Sequence, residues 1–192
     1  MAVIAFNNDD VIYVVVERVI NGRTVKYIAR RRKRKYATYA DAFFVDSGLT
    51  YAGAAVTVLT NLWHLEGKAI DVFSEGAVEA RRTVVSGSIT LDAPSTKVSV
   101  GLPINARGQM LPIALEAAEA GGQGTIKNVS EAYLRLVDSA APQVGRSFAQ
   151  LRQYPSRSVD DDYDGPPAAL TEEIAITIDQ GWERDGAICF AQ

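Results

Sequence analysis

Apolar and polar positions at the start of the chain follow a pattern that predicts a β-hairpin. Residues 11–20 (VIYVVVERVI) are rich in β-branched and aromatic side chains and lack helical spacing. Residues 23–30 (RTVKYIAR) alternate polar and apolar side chains, as a strand with one buried face does. Asn21-Gly22 separates the two runs, and both residues tolerate the positive φ of a type I′ turn. We therefore predict two antiparallel strands joined at this pair.

From residue 45 onward, short apolar runs are separated by turn residues. The breaks include Glu75-Gly76, Ser86-Gly87 and the segment 92–95 (DAPS). Strands this short and this regularly spaced are typical of a small antiparallel barrel or sandwich. The predicted strands are residues 54–59, 68–73, 77–85, 88–91, 97–103, 173–178 and 187–190.

The middle of the second half is ambiguous. Residues 111–120 are rich in alanine and glutamate and could form two helical turns, with Pro112 in the first turn. Residues 128–131 (NVSE) resemble a helix capping box, which favours a helix after them. Residues 132–137 (AYLRLV) also alternate as a strand would. Local pattern alone leaves both structures open.

Composition narrows the class of protein. The 192 residues are 47% hydrophobic and 22% charged, which is ordinary for a globular protein. The net charge of −3 argues against a dedicated nucleic-acid binder, and no apolar run is long enough to span a bilayer. The first ten residues lack the features of a signal peptide. The single cysteine, Cys189, excludes an internal disulfide and fits a reducing compartment.

Charge is distributed unevenly along the chain. Residues 1–36 contain nine Lys or Arg and three Asp or Glu, a local charge of +6. Residues 155–192 contain two Arg and nine Asp or Glu, a local charge of −7. This polarity can favour head-to-tail association between copies, or it can reflect two solvated patches. The basic run at residues 30–35 (RRRKRK) is either a phosphate-binding or localisation segment or a solvated loop.

His64 is the only histidine, and its surroundings do not indicate catalysis. A nucleophilic triad needs a Ser or Cys beside a histidine that a carboxylate orients, and no Gly-x-Ser-x-Gly motif is present. A zinc site needs several His or Cys ligands, whereas the chain has one of each. Between Trp63 and Leu65, we expect His64 to pack with one ring nitrogen bonded to backbone. We predict no catalytic residues, no cofactor and no enzymatic activity.

One acidic segment has a partial metal-binding pattern. Asp160, Asp162, Asp164 and Gly165 match the opening of a calcium loop, in which alternate oxygens converge on one cation. The twelfth position of such a loop is Thr171 here, where a bidentate glutamate is expected. Pro166-Pro167 would also stiffen the turn. The alternative is an acidic, solvent-exposed loop between strands, and these two departures favour it over a metal site.

An ordered set of short segments resembles the nozzle proteins of short-tailed bacteriophages, the tail tubular protein B type, and their prophage relatives. The most specific segments are VDSGLTY at 45–51, HLEGK at 64–68 and GLP at 101–103. The hairpin at 14–30 and the segments 126–145 and 176–192 are also similar to the family. Family members are much longer than this chain, and their Asp-Gly turn after HLEGK is Glu75-Gly76 here.

The resemblance implies a mainly β fold of antiparallel sheets with a small β-barrel module. The module would span residues 45–104, and residues 1–44 and 105–192 would form a flanking antiparallel sheet domain. The family region that corresponds to 126–137 is β-structured, which favours strand over helix there. Leu62 and Leu65 would point inward, and Gly67 would turn the chain. The structural signature would consist of Asp46, Ser47, Gly48, Leu49, His64, Leu65, Glu66, Gly67 and Lys68.

The function implied by the resemblance is mechanical. Identical subunits would form a ring below the portal and adaptor of a virion tail and surround the channel through which DNA leaves. Assembly would take place in the host cytoplasm, without membrane insertion. DNA would pass without sequence-specific binding, because an acidic lumen repels phosphates.

Two other functions remain open at this stage. A host-surface or carbohydrate-binding module would present exposed rings on one face, since sugars stack on flat aromatic side chains. The candidates for such a face are Tyr36, Tyr39, Phe43, Phe44 and Tyr51. A hydrolase built on the acids of residues 160–173 would need two carboxylates close together in a cleft.

Overall fold

A computed structural model of the chain describes residues 2–6, 9–32, 36–112, 125–179 and 181–192, with side chains described from residue 11 onward. The protein is mainly β, with 54% of residues in strands and 4% in helix, and its sheets are antiparallel. This confirms the predicted fold class. The chain forms two compact units, residues 1–104 and 105–192. Within the described ranges, no helix is long and apolar enough to cross a membrane.

Unit 1 begins with the predicted hairpin. Strands β1 (Ala2–Phe6), β2 (Asp9–Ile20) and β3 (Arg23–Arg30) form a three-stranded sheet in that order. Ile20 pairs with Arg23 across the Asn21-Gly22 turn. Both turn residues have positive φ, +49° and +73°, as a type I′ turn requires. The hairpin prediction is therefore confirmed.

The second sheet of unit 1 has four strands in the order β4-β7-β5-β6. They are β4 (Val45–Leu59), β5 (Ala69–Ser74), β6 (Ala77–Thr83) and β7 (Ile89–Pro103). Short 3₁₀ turns lie at Tyr39–Asp41 and Trp63–Leu65.

The expected barrel does not close among the described residues. In the observed order β4 and β6 are the two edges of an open sheet, and closure would require these edges to pair. The predicted break at residues 92–95 was also wrong, because β7 runs on from Ile89 to Pro103. Pro94 falls where four residues of β7 face one of β4, between the pairs Val56–Ser95 and Val58–Thr90. A proline is tolerated there because the irregular ladder needs no hydrogen bond from it.

The core of unit 1 lies on one face of this second sheet. On β5 the side chains of Ile70, Val72 and Ser74 point inward in strict alternation. The other buried members of the cluster come from β4, the turn before β5, the residue that follows β6, and β7: Leu59, Leu62, Leu65, Val84, Ile89, Leu91, Val98 and Val100.

The described part of unit 2 contains six short strands in two sheets. The four-stranded sheet has the order β11-β10-β13-β8, and the other sheet pairs β9 with β12. The strands are β8 (Arg107–Gln109), β9 (Glu131–Arg135), β10 (Gln143–Gly145), β11 (Leu151–Gln153), β12 (Glu173–Thr177) and β13 (Cys189–Ala191).

The ambiguous segment of unit 2 is a strand. β9 pairs with β12 in an antiparallel register that sets Leu134 opposite Ile174. Strand pairing therefore overrides the capping-box pattern of residues 128–131. The predicted strands near the end of the chain are confirmed as β12 and β13. Most of the possible helix at 111–120 lies outside the described residues. The unit has its own core, formed by Ala132, Leu136, Val144, Ile174, Ile176, Ile178 and Ile188.

We predict that truncating a valine in the second sheet destabilises the protein only where that valine is buried. Val72 has 1% of its surface exposed and Val78 on the neighbouring strand has 77%. Val72→Ala should lower the free energy of unfolding by about 2 kcal/mol, because two buried methyl groups are lost and a cavity remains. Val78→Ala is the matched control and should change it by less than about 0.5 kcal/mol.

Urea unfolding followed by tryptophan fluorescence measures both variants. A Trp182→Phe background leaves Trp63 as the only tryptophan, so the signal reports on unit 1. Equal effects of the two substitutions would contradict the observed assignment of faces.

Candidate functional site

A β-bulge brings two of the family-like segments together. Asp46 pairs with Leu102 and Leu49 pairs with Val100, so Ser47 and Gly48 of β4 lie opposite the single residue Gly101 of β7. Ser47 adopts the left-handed conformation, with φ of +50°. Two residues opposite one is the arrangement that defines a bulge. The DSG and GLP segments are therefore the two sides of one local structure.

Both glycines at the bulge are required by crowding. A Cβ atom on Gly48 would overlap the carbonyl oxygen of Val100 and the side chain of Val45. A Cβ atom on Gly101 would lie 2.8 Å from both the carbonyl oxygen of Asp46 and the Cα atom of Gly48. At both glycines the nearest obstacle is a backbone atom, which cannot move aside as a flexible side chain can. The two strands approach this closely only because neither glycine has a side chain.

His64 connects the third family-like segment to the bulge. Its Nε2 atom lies 2.9 Å from the carbonyl oxygen of Ser47, to which the ring N–H donates. The ring meets Tyr27 of β3 edge to face, with 5.9 Å between centroids. The prediction that one ring nitrogen bonds to backbone is confirmed. The imidazole fixes the position of the bulged strand and of the hairpin that packs beside it.

Arginine side chains attach the hairpin to β4. Arg18 Nη2 donates to Asp46 Oδ2 at 2.8 Å and also to the hydroxyl oxygen of Ser47. Arg32 Nη2 donates to Thr50 Oγ1 at 3.0 Å, and its guanidinium lies 5.2 Å from the centroid of the Phe43 ring. Part of the basic stretch at 30–35 thus has a packing role. Lys33, Arg34 and Lys35 lie outside the described residues.

The rest of HLEGK shapes the turn that follows β6. Leu65 is completely buried, and Leu62 is nearly so, which confirms that both point inward. The Glu66 carboxylate accepts hydrogen bonds from the backbone N–H groups of Ser86 and Gly87, at 2.9 and 2.7 Å. Gly67 has φ of +70° and precedes β5, as predicted.

The other two residues of the signature contribute little through their side chains. Lys68 takes part through its backbone, which bonds to Leu65 and Val84. Leu49 is exposed and lines an open cavity beside β4.

Glu75 is a structural residue that the sequence pattern did not identify. It has φ of +50°, and its Oε1 atom accepts hydrogen bonds from Thr96 N, Thr96 Oγ1 and Lys97 N at 2.5, 2.7 and 2.9 Å. These bonds, chiefly those from Thr96, lower the pKa of the Glu75 carboxyl below its usual range. Thr96 lies where the pairing of β4 with β7 shifts, so the carboxylate substitutes for ladder bonds. The only signal in the sequence was an acidic residue at a Glu-Gly turn.

A second acidic residue holds the same part of β7. Asp41 forms an ion pair with Lys97 and accepts a hydrogen bond from the Thr38 hydroxyl at 2.6 Å. The bond from Lys97, followed by that from Thr38, lowers the pKa of the Asp41 carboxyl. Two carboxylates, those of Asp41 and Glu75, therefore bind neighbouring residues of β7.

The acidic segment of unit 2 is organised by an arginine. Arg157 donates to the carbonyl oxygens of Asp162 and Gly165 at 2.9 and 2.7 Å, and its guanidinium lies 5.4 Å from the centroid of the Tyr163 ring. Asp161 Oδ2 accepts a hydrogen bond from Ser158 N. Within the described ranges, no group of three or more His, Cys, Asp or Glu residues is placed to hold a metal ion. The geometry thus gives no support to a calcium site formed by Asp160, Asp162 and Asp164.

The described residues give little support to a sugar-binding face or to a hydrolase cleft. Of the five aromatic side chains proposed for a sugar-binding face, Phe44 is exposed, and the other four are half-buried. Tyr36, Tyr39, Phe44 and Phe73 contact one another edge to face. Two described cavities, of about 350 and 310 Å³, have no Asp or Glu among their described lining residues.

Neither a scan against protein-family models nor a search of curated proteins yields a match to this chain. Its function therefore has to be inferred from the geometry of the bulge and from the segments that form it.

We predict that crowding at the bulge makes Gly48 less replaceable than Gly67. Gly48→Ala should lower the free energy of unfolding by about 2–3 kcal/mol, because the methyl group forces β4 and β7 apart. Gly67→Ala is the control. Its Cβ would meet open space, so only the positive φ is penalised, by about 1 kcal/mol. Urea unfolding measured by circular dichroism ranks the two, and the reverse order would contradict the bulge geometry.

We predict that Glu75→Gln removes a contribution to stability that depends on pH. A folded-state pKa below the usual 4.5 means that the charged form stabilises the fold. This contribution is complete above about pH 4.5 and is lost as the pH falls through the lowered folded-state pKa. The variant should therefore be less stable than the wild type at neutral pH, and the difference should disappear in acid.

Thermal unfolding across a pH series measures this difference. Glu173→Gln, at an exposed position of β12, is the control and should show no such pH-dependent gap. A gap for Glu75→Gln that is independent of pH would contradict the role assigned to its charge.

Proposed function

We propose that this chain is a structural component of a bacteriophage or prophage tail, part of the nozzle that forms the DNA-exit channel by self-assembly. The observation that carries the proposal is the convergence of VDSGLTY, HLEGK and GLP. Ser47 and Gly48 face Gly101 across the bulge, and His64 bonds to Ser47. Segments that are separate in the sequence and resemble one family thus form one local structure here, which supports common ancestry with that family.

In this proposal the site has a mechanical role. The polar side chains at the bulge and its neighbouring turns bond mainly to backbone: His64 to a carbonyl oxygen, and Glu66 and Glu75 to N–H groups. Such bonds fix the path of irregular strands, because each satisfies a backbone group that the sheet ladder leaves unpaired. Their value to the protein is a rigid shape that can withstand the passage of DNA.

The proposed partners are other copies of this chain in a ring, together with the portal, adaptor and neighbouring tail proteins. DNA is a passing molecule and not a ligand. The chain has a net charge of −3 and a pI near 5.2. An acidic protein repels phosphates and releases few counterions on contact, so duplex DNA would slide without being retained. The location in this proposal is the virion tail, after assembly in the host cytoplasm.

We expect the purified chain to assemble into rings. Negative-stain images should contain particles with a central opening wide enough for duplex DNA, and sedimentation velocity should give one discrete oligomer. Labelled duplex DNA should not co-sediment with the protein at physiological salt. A protein that stays monomeric at high concentration would contradict the proposal, and retention of that monomer on immobilised polysaccharide would favour a carbohydrate-binding module.

A further inference from the structure

The hairpin of β2 and β3 has two faces with different surroundings. Side chains alternate across a strand, so even-numbered residues of β2 share one face and odd-numbered residues share the other. The inner face carries Arg18 and Tyr27, which contact β4 and His64. Within the paired part of the hairpin, the outer face consists of Tyr13, Val15, Glu17 and Val19 on β2 and Thr24, Lys26, Ile28 and Arg30 on β3.

The outer face combines exposed apolar side chains with basic ones. Val15 lies directly opposite Ile28, which has 77% of its surface exposed, and Val19 is exposed beside them. Glu17 is 3.7 Å from Lys26, so it offsets one positive charge and leaves Arg30 on the same face. An exposed apolar pair of side chains, bordered by basic residues, is typical of an interaction surface.

A segment of unit 2 has the complementary character. Residues 158–164 expose Val159 by 93% and Tyr163 by 67%, and the same segment contains four aspartates. Arg157 binds the carbonyl oxygen of Asp162 within this segment and that of Gly165 just after it, and it stacks on Tyr163, so these contacts hold the segment in a defined conformation. A preorganised segment loses less conformational entropy on binding than a flexible one.

We propose that the outer face of the hairpin binds the 158–164 segment of a second copy of this chain. Val159 and Tyr163 would cover the Val15–Ile28 pair, and the aspartates would approach Lys26 and Arg30. The inference rests on the proposed function, because it names the surfaces through which copies assemble. The two surfaces differ, so the contact is heterologous and propagates from copy to copy, and it forms a ring when the rotation between successive copies closes.

Charge complementarity favours a second copy as the partner. The part of the chain that contains the hairpin, residues 1–36, carries nine basic and three acidic residues, and residues 155–192 carry two basic and nine acidic residues. Opposite charges at a contact speed association and reject wrong partners, whereas two identical faces would repel each other. The contact should weaken as salt increases.

Reversal of charge on each surface tests the inference. The hairpin variant is Lys26→Glu with Arg30→Glu, and the loop variant is Asp160→Lys with Asp164→Lys. The side chains of Asp161 and Asp162 bond within the segment and are left unchanged. Arg135→Glu with Arg184→Glu is a control that matches the charge change of the hairpin variant at exposed positions elsewhere. Circular dichroism verifies that every variant folds.

Sedimentation velocity should show the wild type and the control as oligomers and each reversed variant as a monomer, with at least a tenfold weaker association. An equimolar mixture of the two reversed variants should assemble again, because the acidic hairpin of one meets the basic segment of the other. A contact within one chain would not be restored by mixing, and that result would overturn the inference.

The remaining outcomes separate the inference from the proposed function. If the wild type forms rings and both reversed variants also form rings, the inference is overturned and the proposed function stands. If the wild type is monomeric, both are overturned. If the loop variant alone still assembles, the segment faces away from the contact, and the inference is overturned.

Discussion

The close approach of β4 and β7 at the Ser47-Gly48 bulge is the constraint on which the organisation of unit 1 depends. Two residues of β4 have to fit opposite Gly101, and the backbones pass so near each other that a Cβ atom at either glycine would collide with main-chain atoms. The bulge turns the Ser47 carbonyl out of the ladder, where it needs another donor. His64 supplies that donor, and the turn that carries His64 therefore has a fixed position.

The hairpin is positioned by the same constraint. The bulge presents Asp46 and Ser47 to Arg18, and the imidazole that binds Ser47 also meets Tyr27. The inner face of the hairpin is thus determined by contacts at the bulge, and the alternation of β2 and β3 turns the remaining side chains outward. The bulge in β4 thus determines which side chains of the β2–β3 hairpin face solvent.

Much of this fold could be predicted from the sequence, because strand alternation and turn residues are local signals. The Asn21-Gly22 hairpin and the strands around Ile70 and Ile174 followed from them. The path of β7 through Pro94 did not, because a register shift against β4 is a property of two strands. The role of Glu75 was hidden for the same reason, since its partners Thr96 and Lys97 are 21 and 22 residues away. The bulge itself was not predicted, because it depends on how Gly48 of one strand lies opposite Gly101 of another.

A protein that works through its shape needs rigidity within each copy and directed contacts between copies. Polar groups at the bulge and at nearby turns provide the first, since His64, Glu66 and Glu75 each bind backbone and leave little freedom to the segments they hold. Directed contacts require two different surfaces on one chain, because identical surfaces pair only once and stop at a dimer. The outer face of the hairpin and the 158–164 segment, which we propose as partners, would meet that requirement, and the uneven charge of this chain supports that proposal.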